Sequence, residues 1–204
     1  MNFHHVSVLR QETIDNLVTN PDGIYVDCTL GGGGHTYALA QRLHPDAVIV
    51  GLDQDKDAIA AATARLADIP CRHILVQRNF SCLNEVLDTL GIETVDGIMF
   101  DLGVSSYQLD TPERGFSYMQ DGPLDMRMDN SRGKSAYDVV NTYGQEELYH
   151  IIKEYGEERW AKRIAAFIVE ARREKPIERT SELVSVIKKA IPAGARRDGP
   201  QRAH

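Results

Sequence analysis

Four consecutive glycines, Gly31 to Gly34, follow the run Ile24-Tyr-Val-Asp-Cys-Thr-Leu30 and open into a helical pattern at His35. Backbone without side chains can turn that tightly and let a ligand approach the amides of the next helix's first turn. The apolar run before the glycines leads to an acid, Asp27, and two further runs end alike: Val48-Ile-Val-Gly-Leu52 in Asp53, and Gly97-Ile-Met-Phe100 in Asp101. Short apolar runs of this kind read as buried parallel strands. In open parallel sheets ligands gather beyond the carboxyl ends of the strands, near the point where strand order reverses. The three carboxylates are therefore expected to point into one crevice, and a nucleotide-like cofactor is the first ligand to consider.

The glycine spacing narrows the choice of ligand. A dinucleotide fingerprint needs glycines at its first, third and sixth positions, but counting from Gly31 the sixth is Thr36, and from Gly32 it is Tyr37. NAD is a poor fit, and a nicotinamide-dependent oxidoreductase stands only as an alternative. Asp27, Thr29, Gly31 and Gly33 resemble instead the first motif of S-adenosylmethionine-dependent methyltransferases, whose ligand carries an ammonium and a sulfonium that give a nearby acid a purpose. Asp53 lies about twenty residues after the glycines, where an acid can accept hydrogen bonds from ribose hydroxyls. Asp55 and Asp57 are read as caps of the following helix, whose Ala58, Ile59, Ala62 and Leu66 recur at helical spacing. A third strand over His73–Gln77 leads to Asn79 and Phe80 near an adenine pocket, with Phe80 equally assignable to the core. A helix from Ser81 then places Leu83, Val86, Leu87 and Leu90 on one face.

Beyond the fourth strand the motifs lengthen. Asp101-Leu-Gly-Val-Ser-Ser106, Gln108-Leu-Asp110, Arg114-Gly-Phe-Ser117 and Asp121-Gly-Pro-Leu-Asp-Met-Arg-Met-Asp129 resemble the bacterial small-subunit ribosomal RNA cytosine methyltransferases of the MraW or RsmH type. So do His5-Val-Ser-Val-Leu9, and Tyr155-Gly-Glu-Glu-Arg159 running into Ala161-Lys-Arg-Ile164. The resemblance implies S-adenosylmethionine as cofactor. It also implies methyl transfer to the exocyclic amine of one cytidine in the decoding region of 16S rRNA, with the RNA or the small ribosomal subunit as partner. It would place cofactor contacts on Gly33, Gly34, His35, Asp53, Phe80, Asp101 and Gln108, to which the sequence reading adds Asp27.

The chemistry of such a transfer suggests roles. A cytosine amine is a weak nucleophile because its lone pair is delocalised into the ring, so an acceptor beside its hydrogens favours pyramidalisation toward the methyl group. Proximity and orientation supply most of the acceleration. Related amino methyltransferases place an acid or amide at the end of the fourth strand, the position of Asp101. The pair of prolines that follows in those enzymes is missing here, so Asp101 is read either as catalytic acceptor or as cofactor ligand. The cytidine must be unstacked to reach the crevice. Asp125 and Arg127 are candidates to hold it, or else form an ion pair fixing a loop rich in Gly and Pro.

The expected fold is α/β: a Rossmann-like class I methyltransferase sheet, represented by its amino-terminal strands, with an inserted helical subdomain. Residues 1–107 are read as the cofactor domain and 108–204 as a helical unit for RNA recognition. In the latter, Leu148, Ile151, Ile152 and Tyr155 form one stripe, and Trp160, Ile164, Phe167, Ile168 and Ala171 another. A last helix starts after Thr180 or Ser181 and ends at Pro192, with Leu183, Ile187 and Ile191 inward. Trp160 continues its stripe and is assigned to the core. Family members run on past the helical unit to complete the sheet, so the fourth strand is expected as an apolar edge and the chain to self-associate, as a homodimer or beyond, and to transfer methyl groups poorly. An RNA-binding module or inactive fragment is the non-enzymatic alternative.

Composition is compatible with a cytoplasmic enzyme. The 204 residues are 42% hydrophobic, enough for a core. Cys28, Cys71 and Cys82 are isolated and odd in number, which suits reduced thiols and no zinc site. His4 and His5 lack a second ligand cluster, so no metal is expected. No apolar segment is long enough to span a bilayer. The net charge of −7 divides unevenly: from Arg159 onward twelve Lys and Arg face five Asp and Glu, leaving eleven against twenty-five before it. That asymmetry is the footprint of a nucleic-acid contact beside an acidic domain, or else a solvated helix face.

Overall fold

A computed structural model describes residues 9–195. The chain divides into two compact units, Met1–Ser105 and Ser106–His204. His4, His5, Arg196, Arg197, Arg202 and the terminal Ala203-His204 lie outside the described residues, as does most of the His5–Leu9 motif.

The first unit runs α1 (Arg10–Leu17), β1 (Ile24–Asp27), α2 (Gly34–Ala40), β2 (Val48–Asp53), α3 (Lys56–Arg65), β3 (Arg72–Gln77), α4 (Leu83–Leu90) and β4 (Gly97–Met99). A short 3-10 turn, Phe80–Cys82, leads into α4. Every strand pairing is parallel and the order is β3-β2-β1-β4. This is the Rossmann-like arrangement expected for the amino-terminal strands. Because the chain steps outward from β1 to β3 and then returns to the far side of β1, strand order reverses between β1 and β4. The carboxyl ends of those two strands therefore flank the crevice where such sheets hold ligands.

Alternation along the strands divides the core by face. Tyr25, Ile49 and Met99 pack with Ile14, Leu39, Ala62 and Leu66 from the helices α1 to α3. Val26, Val50 and Leu52 pack with Val86, Leu83, Leu87 and Leu90 of α4 on the other face. Gly51 keeps the sheet tight under the glycine turn, since a Cβ there would sit 2.9 Å from methyls of both Leu30 and Leu75. Asp55 caps α3 by accepting from the Asp57 N–H at 3.0 Å. Ile98 and Phe100, on the face that α4 alone covers, remain exposed at the β4 edge.

The second unit is helical: α5 (Ser106–Asp110), α6 (Ala136–Thr142), α7 (Gln145–Glu154), α8 (Ala161–Glu174) and α9 (Thr180–Ala190), with a 3-10 turn at Pro112–Arg114. Leu124, Val140, Leu148, Ile164, Ala165, Ile168, Ile177 and Ala190 form its buried core, with Trp160, Phe167, Leu183, Ile187 and Ile191 packed around it. Tyr155 departs from the expected stripe. It follows the last residue of α7, still donates its N–H to the Ile151 carbonyl at 3.0 Å, and is 86% exposed.

Candidate active site

The glycine turn is held from both sides by carboxylates. Gly31 and Gly33 adopt φ of 49° and 73°, conformations that side chains resist. At Gly33 an added Cβ would also meet the Ala62 Cβ at 3.3 Å, so the turn presses directly on α3. Asp27 is almost fully buried: one oxygen accepts the Thr29 N–H at 3.0 Å and the other the Thr36 hydroxyl at 2.6 Å. Burial pushes its carboxyl above the ordinary range, against those two hydrogen bonds, which favour the charged form. Asp53 accepts the Gly31 N–H at 2.8 Å and the Asp55 N–H at 2.9 Å, and burial raises its carboxyl too.

Asp101 joins the same cluster from the end of β4. Its backbone N–H donates to the Thr29 hydroxyl at 2.7 Å, and its carboxylate lies 3.4 Å from the His35 Nε2. The three acids expected to converge thus all meet the segment from Asp27 to Thr36, two of them through direct contacts with Thr29, Gly31 or His35 and the first from within it. The His35 side chain is mostly covered, and its Nδ1 is buried with no hydrogen-bond partner among the described residues. Nearby, Phe80 is 41% exposed, which removes it from the core, and it meets Phe100 edge-on with ring centroids 5.7 Å apart. Asn79 donates to the Gln54 side chain at 2.9 Å and accepts from the Ser81 N–H, fixing the loop beside Phe80. The sequence reading missed Phe100, Gln54 and the His35–Asp101 contact. Partners this far apart in the chain leave no periodic signal.

Cys28 follows Asp27 directly and is buried. Burial, and then the Asp27 charge, push its thiol up to about 11. Among the described residues no cluster of His, Cys, Asp and Glu is arranged to hold a metal, and no helix is long and apolar enough to cross a membrane.

In the second unit Gln108 is buried in α5. Asp125 and Arg127 form a two-pronged ion pair, Nε to Oδ1 at 2.9 Å and Nη2 to Oδ2 at 2.7 Å. The guanidinium beside Asp125 holds its carboxyl below the usual range. Arg114, itself buried, donates to the carbonyls of Arg127 and Met128 at 3.1 and 2.8 Å. The glycines of these motifs have packing reasons. A Cβ on Gly115 would collide with the Pro123 carbonyl, and one on Gly122 with that of Pro112.

Carboxylates around a glycine turn, an unpartnered buried imidazole nitrogen and two half-open phenylalanines suit a ligand with cationic groups, ribose hydroxyls and a flat base. Ribosomal RNA small subunit methyltransferase H of Clostridioides difficile is 57% identical over 203 residues, covering 100% of this chain and 65% of that protein. The protein of the same name from Geotalea uraniireducens is 57% identical over 193 residues, covering 95% of this chain and 62% of its own length. This chain therefore spans a little under two thirds of those relatives. A crystal structure of an rRNA methylase from Streptococcus thermophilus aligns with a TM-score of 0.40 at 23% identity, over 48% of this chain and 57% of that one. The model of the MraW methylase family matches residues 2–204, and the chain belongs to that family.

Proposed function

We propose that the first unit binds S-adenosylmethionine and, in the whole protein, directs its methyl group to the exocyclic amine of a cytidine in the decoding region of 16S rRNA. The observation that carries this reading is the convergence of Asp27, Asp53, Asp101 and His35 on one glycine turn. When bound, the cofactor supplies an electrophilic methyl on a sulfonium. Gly33, Gly34 and His35 would bring backbone close to it, Asp53 would accept from ribose hydroxyls, and Phe80 would flank the adenine. Asp27 acts through the turn, because Thr29 and Thr36 engage both its oxygens. Asp101 is the acceptor for the amine, since its side chain is 60% exposed at the mouth of the crevice. Gln108 remains a cofactor contact by family likeness.

The second unit is assigned to RNA. Asp125 and Arg127 would meet the substrate as a pair, each already bonded to the other, and the basic charge from Arg159 onward would face phosphates. Membership in a methylase family leaves the nicotinamide alternative without support. Calorimetry with S-adenosylhomocysteine and with NAD, on wild type and Asp53→Ala, tests the assignment. Binding of the first ligand alone, weakened by the substitution, is expected; binding of neither would leave the non-enzymatic RNA-binding reading. Methylation of small-subunit particles against naked 16S rRNA then identifies the substrate form.

A further inference from the structure

The backbone of Asp101 is anchored through Thr29, but that contact leaves the carboxylate free to rotate. Among the described residues the one side chain brought to it is His35, whose Nε2 lies 3.4 Å from Oδ2. The two side chains differ sharply in exposure, 12% for His35 and 60% for Asp101. A covered ring thus abuts an open carboxylate. The ring's other nitrogen settles its tautomer. Nδ1 is buried without a partner among the described residues, so a proton there would have no acceptor, whereas a proton on Nε2 lies on the side of the ring that meets the Asp101 carboxylate. The neutral ring therefore carries its hydrogen on Nε2.

We propose that His35 is the positioning residue for Asp101, its Nε2 edge held 3.4 Å from Oδ2 so that the second carboxylate oxygen is presented to the substrate amine. This rests on the methyltransferase reading above and adds to it the means by which the acceptor is oriented. In the transfer the amine lone pair attacks the donor methyl carbon, and the C–N bond forms as the C–S bond breaks. Sulfur keeps the bonding pair and becomes a neutral thioether, and the N–H proton passes to the free oxygen of Asp101, which is open to water. A carboxylate that swings away leaves that proton without an acceptor in line.

The amide nitrogen of glutamine stands as many bonds from Cα as the histidine Nε2, and that of asparagine as many as Nδ1. His35→Gln should therefore restore much of the activity that His35→Asn loses. Single-turnover transfer to small-subunit particles at saturating S-adenosylmethionine should fall on the order of 100-fold in His35→Asn through misplacement of the acceptor, with calorimetry on both variants separating any loss of cofactor affinity from the loss in the transfer step. Nitrogen NMR of the ring should report the Nε2–H tautomer in wild type and a weaker bias toward it in Asp101→Ala, which removes the acceptor facing Nε2. Equal losses in both His35 variants, a greater loss in His35→Gln, or an Nδ1–H tautomer would overturn the proposal. Should turnover of this chain lie below detection, the tautomer and its response to Asp101→Ala decide the matter. Failure of wild type to bind S-adenosylhomocysteine would overturn the methyltransferase reading itself and leave the ring geometry to be judged by NMR alone.

Discussion

Two aspartates on one turn illustrate how similar residues come to differ in role. Asp27 is buried at 2% exposure, and its folded-state pKa is raised chiefly by desolvation. The native chain then binds this proton more readily than the unfolded chain does. The charged carboxylate is a cost at neutral pH, and that cost shrinks as pH falls through the raised folded value, disappearing below the unfolded value of about 3.9. Asp27→Asn removes the charge and keeps an oxygen for the Thr29 N–H. Urea denaturation should find this variant at least as stable as wild type at pH 7 and losing that advantage toward pH 4. A loss of equal size at both values would show that the Thr36 hydrogen bond outweighs the charge. Asp53 presents the opposite case, because it serves two backbone N–H groups at once. Asp53→Asn can satisfy only one of them and should destabilise by about 1–3 kcal/mol, while weakening S-adenosylhomocysteine binding in calorimetry. Unchanged affinity would take Asp53 out of the cofactor site.

At the scale of elements, the stretch from Asp121 to Met126 has no regular structure of its own and takes its shape from the starts of two helices. Leu124 donates to the Glu178 carbonyl at 3.0 Å, Gly122 to the Thr180 hydroxyl at 3.0 Å, and Tyr137 at the start of α6 to the Leu124 carbonyl at 2.6 Å. Two carboxylates fasten the α9 end. Arg179, and then Ser181, hold Asp121 at about 2; Lys175, and then the Glu178 and Arg179 N–H groups, hold Glu182 at about 2. Both folded values lie below the unfolded ones, so their stabilisation is complete above about pH 4 and is lost as pH falls through about 2. Unfolding midpoints should drop over that window, and Asp121→Asn with Glu182→Gln should flatten the drop. An identical acid profile in the double variant would mean that other groups govern it. The contrast with the strands explains what the sequence reading could reach. β1 to β4 were legible because each is an apolar run ending in an acid or amide, and α8 and α9 because their apolar stripes are long. The helix α1 escaped notice because Ile14 is its one buried residue. α6 escaped notice although Ser135 and Asp138 form a reciprocal cap at its start, since the run that follows is short and half polar. The pairing of His35 with Asp101 depends on a sheet bringing together the ends of β1 and β4, which no local pattern encodes.

For the whole molecule, charge and exposed apolar surface make opposing demands that salt can separate. Residues before Arg159 hold twenty-five acids against eleven bases, and those from it onward twelve bases against five acids. The acidic part carries the β4 edge, where Ile98 and Phe100 stand 40% and 50% exposed beside unpaired backbone. Such an edge invites pairing with another copy, while like charge on two acidic units resists their approach. Added salt screens that repulsion within a Debye length of about 10 Å at 0.1 M, so self-association should strengthen with ionic strength. The contact proposed between the basic segment and RNA phosphates should weaken over the same range as counterion release loses its advantage. Sedimentation velocity across a salt series should therefore show growing oligomers in wild type and a monomer in Ile98→Lys, which places a charge on the edge. RNA affinity should fall with salt equally in both proteins. If Ile98→Lys leaves the oligomers intact, the strand edge is not where copies meet; if it also weakens RNA binding, that edge and the RNA surface are one.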